Sequence, residues 1–182
     1  MIRWSNPAWA FAAAVCVVAT PAVAQPGPVF VVRHAERAPE PKSDPAISTE
    51  GQARAEQLRH VLATADIRTI ITTHYRRTQD TAAPTALHAG VTPTVIPIRR
   101  GEVSAHVAEV VAEVRKAKGA VLVVGHSNTV AAIVAGLSTS TPVELCETSF
   151  ANLFVVAQPG TPAPAIQLKY GKPDVPPHPG CQ

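Results

Sequence analysis

Arg33, His34, Glu36 and Arg37 follow an unbroken apolar run of Val29, Phe30, Val31 and Val32. Such a run suits a short buried strand, and charges at this density bring it to the surface where they begin. An imidazole placed there between guanidinium groups is held neutral and therefore nucleophilic. The guanidiniums in turn attract an anion through bidentate hydrogen bonds, and phosphate is the anion that fits. A second histidine, His126, follows a second apolar run, residues 120–124, and Gly125. In a parallel sheet both histidines reach the carboxyl edge, where open α/β sheets bind their ligands. Arg77 opens a helix after a third strand. One crevice would then collect Arg33, His34, Arg37, Arg77 and His126 beside a helix N-terminus, all of which favour bound phosphate.

The intervening chain supplies the elements that must hold these groups. After the first strand, residues 38–46 carry Pro39, Pro41 and Pro45 with Glu40 and Asp44, an exposed loop. Ser48 is an N-cap with Glu50 in the first turn, and Ala55, Leu58, Val61 and Leu62 keep helical spacing to about residue 65. Ile67–Thr72 is the second strand, followed by a helix near Arg76–Ala89 in which Pro84 is an interior flaw. Residues 93–97, bracketed by prolines, form a short edge or crossover strand. A charged loop, residues 99–102, leads to an amphipathic helix over 103–118 with Val107, Val110, Val111 and Val114 on one face, stopped by Gly119. Residues 120–124 are the third buried strand, with an apolar helix from the Gly125-His126-Ser127-Asn128-Thr129 turn to about Leu137. Residues 149–157 and 163–170 then form an antiparallel hairpin around Pro159-Gly160. The prediction is an α/β chain: a three-layer α/β/α sandwich with a mostly parallel central sheet and a C-terminal antiparallel hairpin.

The motifs in this order resemble those of the histidine phosphatase superfamily, the phosphoglycerate-mutase-like proteins. The opening RHG motif is here Arg33-His34-Ala35. A Thr four residues before an Arg that leads into a TA pair is matched by Thr73, Arg77, Thr81 and Ala82, and the closing GH motif by Gly125-His126. The resemblance spans about residues 29–171. It implies a two-step phosphoryl transfer: His34 attacks phosphorus and becomes phosphohistidine, Arg33, Arg77 and His126 stabilise the transferring oxygens, and water then releases phosphate. Arg37, Thr73 and Asn128 are further substrate-binding candidates. Phosphoryl transfer needs chiefly positioning and positive charge, so no metal or cofactor is expected where arginines supply that charge.

Two residues depart from the pattern. Ala35 replaces the glycine and is tolerable where φ stays negative. Ser127 stands where the acid-phosphatase branch has its proton-donating Asp, so the leaving-group acid must come from elsewhere. Glu102, in the charged loop, is the first candidate and Glu36 the alternative. His60, His74, His88, His106 and His178 fit no motif and read as surface residues.

Residues 1–24 read as a signal peptide, with Arg3 in the n-region, an apolar stretch over 8–19 and Ala22-Val23-Ala24 as the cleavage site. The remaining residues, 25–182, form one domain with a Pro-rich tail over 171–182, expected in the periplasm or outside the cell and without a stable membrane span after cleavage. The formal charge of the whole chain is +3 with no basic run, which argues against nucleic-acid binding. Cys146 and Cys181 would remain after cleavage, and an even pair in an oxidising compartment favours a disulfide over metal ligation. The expected partner is a phosphorylated substrate, whether small molecule, envelope glycan or protein. Two rivals remain. The same pocket could bind a phospho-ligand without turnover, or Ser127 could be the nucleophile of a serine hydrolase, since its turn resembles a G-x-S-x-G elbow.

Overall fold

Val29, Val31 and Val32 are fully enclosed, and the strand they belong to, β1 (Pro26–Arg33), lies inside a six-stranded sheet. The computed structural model describes residue 1, residues 26–140 and residues 145–174. The expected signal peptide, His178, Cys181 and the end of the Pro-rich tail lie outside the described residues. The chain then runs through α1 (Thr49–Val61), β2 (Ile67–Thr72), α2 (Arg76–Ala89), β3 (Thr94–Val95), α3 (Val103–Lys116), β4 (Gly119–Gly125), α4 (Ser127–Leu137), β5 (Asn152–Val156) and β6 (Ile166–Lys169).

The strand order is β3-β2-β4-β1-β5-β6. β1 and β2 pair in parallel with β4, and β3 in parallel with β2, whereas β5 runs antiparallel to both β1 and β6. Alternate residues of each strand point to opposite faces. On one face Val29, Val31, Val121 and Val123 pack with Val110, Val114, Ile133 and Leu137 of α3 and α4. On the other, Val32, Ile70, Leu122 and Val124 pack with Leu58, Ala82 and Ala86 of α1 and α2. This is the expected three-layer sandwich with its antiparallel hairpin.

Local chemistry explains the element ends. Ser48 caps α1 by accepting the Gly51 N–H at 3.1 Å, and a Cβ at position 51 would collide with the Glu36 carbonyl oxygen. That close approach seats α1 against the segment after β1. Tyr75, the N-cap of α2, offers no capping side chain. Asp44 of the proline-rich loop takes that role, accepting the Arg76 N–H at 3.0 Å. Gly119, with φ +78°, opens β4 rather than closing α3, which ends at Lys116. The hairpin strands are shorter than the sequence pattern, because Phe150 serves contacts described below and Pro162 and Pro164 interrupt the second arm.

One histidine is misread from sequence. His106, expected at the surface, is buried, because it sits one and two helical turns before Val110 and Val114 on the inward face of α3. Among the described residues, no helix is long and apolar enough to cross a membrane.

Candidate active site

The carboxyl edge of the sheet assembles the site. Arg33 pairs across the ladder with Gly125, and the His34 N–H continues that ladder by donating to the Gly125 carbonyl at 2.9 Å. The histidines that follow the two strands therefore come together, their ring centroids 5.3 Å apart in an edge-on arrangement. Ala35 is buried and keeps a negative φ, since Asp66 is the only non-glycine residue with positive φ among the described residues. Its N–H donates to Thr81 Oγ1 at 2.9 Å, and that hydroxyl donates to the Arg77 carbonyl at 2.7 Å. The TA pair thus ties α2 to the turn after β1.

Each imidazole has a defined proton. His34 Nδ1 lies 2.8 Å from the Ala35 carbonyl, which can only accept, so Nδ1 carries the hydrogen and Nε2 the lone pair. For His126 the arrangement is reversed. Arg77 donates to Nδ1 at 3.4 Å, so Nε2–H donates to Thr73 Oγ1 at 3.0 Å. Burial pushes the His34 imidazole down to about 3, with the Arg33, Arg77 and Arg37 guanidiniums acting in the same direction. Burial is also the main reason that His126 falls to about 2, with His34 and Arg77 adding to it. Both rings are neutral at physiological pH.

An open pocket of about 370 Å³ lies over these rings, lined by His34, Arg37, Tyr75, Arg77, Ile98, His126, Ser127, Asn128 and Glu147. Arg77 stacks on the Tyr75 ring, 4.2 Å from its centroid, and lies 4.0 Å from Asp44. Its Nε is a buried donor without a partner among the described residues. Arg37 and Asn128 line the pocket as expected from sequence. Thr73 is buried and does not line it; its hydroxyl instead orients His126 and accepts the Tyr75 N–H at 3.3 Å.

Arg33 is placed differently from the expectation that it faces the transferring oxygens. It is 1% exposed, donates to the Cys146 carbonyl at 2.7 Å and the Glu147 carboxylate at 2.7 Å, and lies over the Phe150 ring at 4.3 Å. Its partners come from the segment before β5, whose contact with β1 has no signature in sequence spacing.

Neither carboxylate expected to serve as acid reaches the pocket lining. Glu102 is the N-cap of α3, is exposed, and pairs with Arg99 at 3.5 Å. Glu36 is held by Arg54 at 2.7 Å, with the arginine side chain 3% exposed. Glu147, which the sequence reading missed, is the one carboxylate in the lining among the described residues. It follows Cys146 in a stretch without periodicity, so nothing local marks it. Ser127 donates its hydroxyl hydrogen to Glu147, which leaves the serine without the histidine partner that a serine hydrolase requires. Cys146 is disulfide-bonded, and its expected partner Cys181 lies outside the described residues. Among the described residues, no group of three or more metal-ligating side chains is clustered.

Comparison with known proteins agrees with this geometry. The family model of the histidine phosphatase superfamily (branch 1) matches residues 29–100, which contain His34 and Arg77. No curated protein matches the chain. Among solved structures, the protein histidine phosphatase SixA complexed with tungstate is 18% identical, with a TM-score of 0.58 over 79% of this chain and 95% of that one. The native mycobacterial glucosyl-3-phosphoglycerate phosphatase is 15% identical, with a TM-score of 0.59 over 79% of this chain and 98% of that one. At these identities the structures establish a shared fold. Residues 29–100 and the motif order from Arg33 to His126 are similar to those of the histidine phosphatase superfamily, and the fold is the one these solved phosphatases share.

Proposed function

We propose that this protein is a phosphomonoester phosphatase that works without a metal, through a phosphohistidine on His34. The observation that carries the reading is the hydrogen bond from His34 Nδ1 to the Ala35 carbonyl, which leaves Nε2 unprotonated in a ring lining a pocket with Arg37, Arg77 and His126. In the first step the Nε2 lone pair forms a bond to phosphorus as the bond to the leaving oxygen breaks. In the second, water oxygen attacks phosphorus and the N–P electrons return to Nε2. Arg77 and Arg37 stabilise the equatorial oxygens, and His126, whose Nε2–H is given to Thr73, positions Arg77 through Nδ1. Guanidinium charge stands where other phosphoryl-transfer sites use metal ions, which is why no metal is invoked.

The open pocket suits phosphate groups carried on bulky molecules, such as envelope glycans or proteins, as well as small phosphomonoesters. With the leader-like residues 1–24, the reading places the enzyme in the periplasm or outside the cell. A mutase is disfavoured there, since phosphorylated glycolytic substrates would not be met.

The test is hydrolysis of nitrophenyl phosphate in the presence of chelator, alongside His34→Ala and with alkaline-quench trapping of the phosphoenzyme. Activity and trapped phosphohistidine should both vanish in H34A. Tight vanadate binding without turnover would replace the enzyme with a phospho-ligand binder. Carboxyl-ester hydrolysis dependent on Ser127 would overturn the reading.

A further inference from the structure

We propose that Glu147 is the proton-transfer residue of this site, giving a proton to the leaving oxygen and later taking one from the attacking water. The inference rests on the phosphatase reading above and goes beyond it by assigning the acid–base step. Every phosphomonoester with a basic leaving group needs such a step, because an alkoxide leaves slowly without a proton. The carboxylates at Glu102 and Glu36 are engaged elsewhere, by Arg99 and Arg54.

Glu147 meets the geometric requirements. Its carboxylate lines the pocket with His34, Arg37, Arg77 and His126. One oxygen accepts from Arg33 at 2.7 Å and the other from the Ser127 hydroxyl at the start of α4. These two bonds fix its orientation, while its side chain stays 71% exposed and open to substrate and water. Ser127 therefore has a use in place of the Asp that the acid-phosphatase branch carries at that position: it aims a carboxylate delivered from another loop.

The chemistry balances. Although burial raises it, the Ser127 hydrogen bond and the charges of Arg33 and Arg37 hold Glu147 below the usual carboxylate range, so it rests ionised. A phosphomonoester monoanion brings both negative charge and a proton. The carboxylate takes that proton, and as His34 Nε2 bonds to phosphorus and the ester bond breaks, the proton passes to the leaving oxygen as an alcohol. The carboxylate, ionised again, removes a proton from the water that attacks the phosphohistidine, and the N–P bond breaks as its electrons return to Nε2. The proton then passes from Glu147 to the departing phosphate, which leaves as the dihydrogen anion and restores the carboxylate.

The experiment compares wild type and Glu147→Gln across nitrophenyl, phenyl and alkyl phosphates. Glutamine keeps the shape and a carbonyl acceptor but cannot transfer a proton. E147Q is expected to lose about 10²–10⁴-fold in kcat/KM on alkyl phosphate and under about 10-fold on nitrophenyl phosphate, whose leaving group needs no acid. A loss of equal size across the series, or a gain, would overturn the assignment and leave Glu147 as a structural partner of Arg33 or a competitor for the pocket. Should E147Q melt far below wild type, the wild-type series decides alone: a shallow dependence on leaving-group basicity supports a proton donor, and a steep one rules it out. Wild-type protein that hydrolyses none of the series would instead refute the phosphatase reading itself.

Discussion

A histidine that must attack phosphorus is useful only while its ring is neutral, and at His34 the surroundings secure that. Burial and the neighbouring guanidiniums outweigh the carbonyl of Ala35, which acts in the opposite direction, and hold the imidazole at about 3 instead of the ordinary 6.5. A lowered histidine pKa keeps the His34 ring unprotonated as pH falls through 6.5. We expect kcat/KM for nitrophenyl phosphate, corrected for the substrate's own ionisation, to show no acid limb near pH 6.5; a limb there would mean that His34 is solvated. The same shift carries a stability cost. His34 and His126 protonate in the unfolded chain below about pH 6.5 but stay neutral in the fold. Stability from each is therefore complete above that pH and falls as pH drops toward 3, by at most about 1.4 kcal/mol per histidine per pH unit. Melting curves between pH 7 and pH 4 should show this decline, and His34→Asn should remove the share due to His34 while leaving that of His126.

At the scale of elements, α1 is fastened by a single arginine. Arg54 donates two bonds to Glu36 Oε1, at 2.9 and 2.7 Å, and further bonds to the Tyr170 and Lys172 carbonyls at 3.1 and 3.0 Å. It thereby joins the turn after β1, the helix and the end of β6. Removing one partner of a buried pair strands the other, so Arg54→Ala should cost about 3–5 kcal/mol. Arg59→Ala, on the solvent side of the same helix, where the pair with Glu56 is partly exposed, should cost under about 0.5 kcal/mol. Equal losses in chemical denaturation would refute the distinction. Arg54 also marks the limit of what the sequence discloses. The apolar runs and 3.6-residue spacing located the strands and helices, because burial on a sheet or helix face is a periodic requirement. The meeting of His34, His126 and Arg77 is legible because strand ends and helix starts fix their positions. Partnerships such as Arg54 with Tyr170, Arg33 with Cys146 and Ser127 with Glu147 were not, since they join segments far apart in the chain and follow no period. Glu102 and Glu36 were chosen for their place in the chain, and the fold gave both to arginines.

For the molecule as a whole, these long-range contacts converge on the segment between α4 and β5 and on the residues after β6. Arg33 grips the Cys146 carbonyl and Glu147. Asp174 accepts the Phe150 and Ala151 N–H groups at 2.6 and 2.8 Å and pairs with Lys169 at 3.2 Å. The wall of the pocket that carries Glu147 is thus held by a buried arginine on one side and by Asp174, in the residues after β6, on the other. Cys146 adds a covalent restraint. If Cys181 is its partner, the bridge closes a loop of roughly 35 residues and contributes about 3–4 kcal/mol, mainly by limiting the unfolded chain. Peptide mapping without reductant should recover the Cys146–Cys181 pair, and reduction should lower the melting temperature at pH 7. It should also lower kcat/KM on alkyl phosphates more than on nitrophenyl phosphate, because loosening this wall moves the Glu147 carboxylate while His34 stays anchored by the β1–β4 ladder. A reduced protein that melts and turns over like the oxidised one would show that Arg33 and Asp174 suffice to hold the wall.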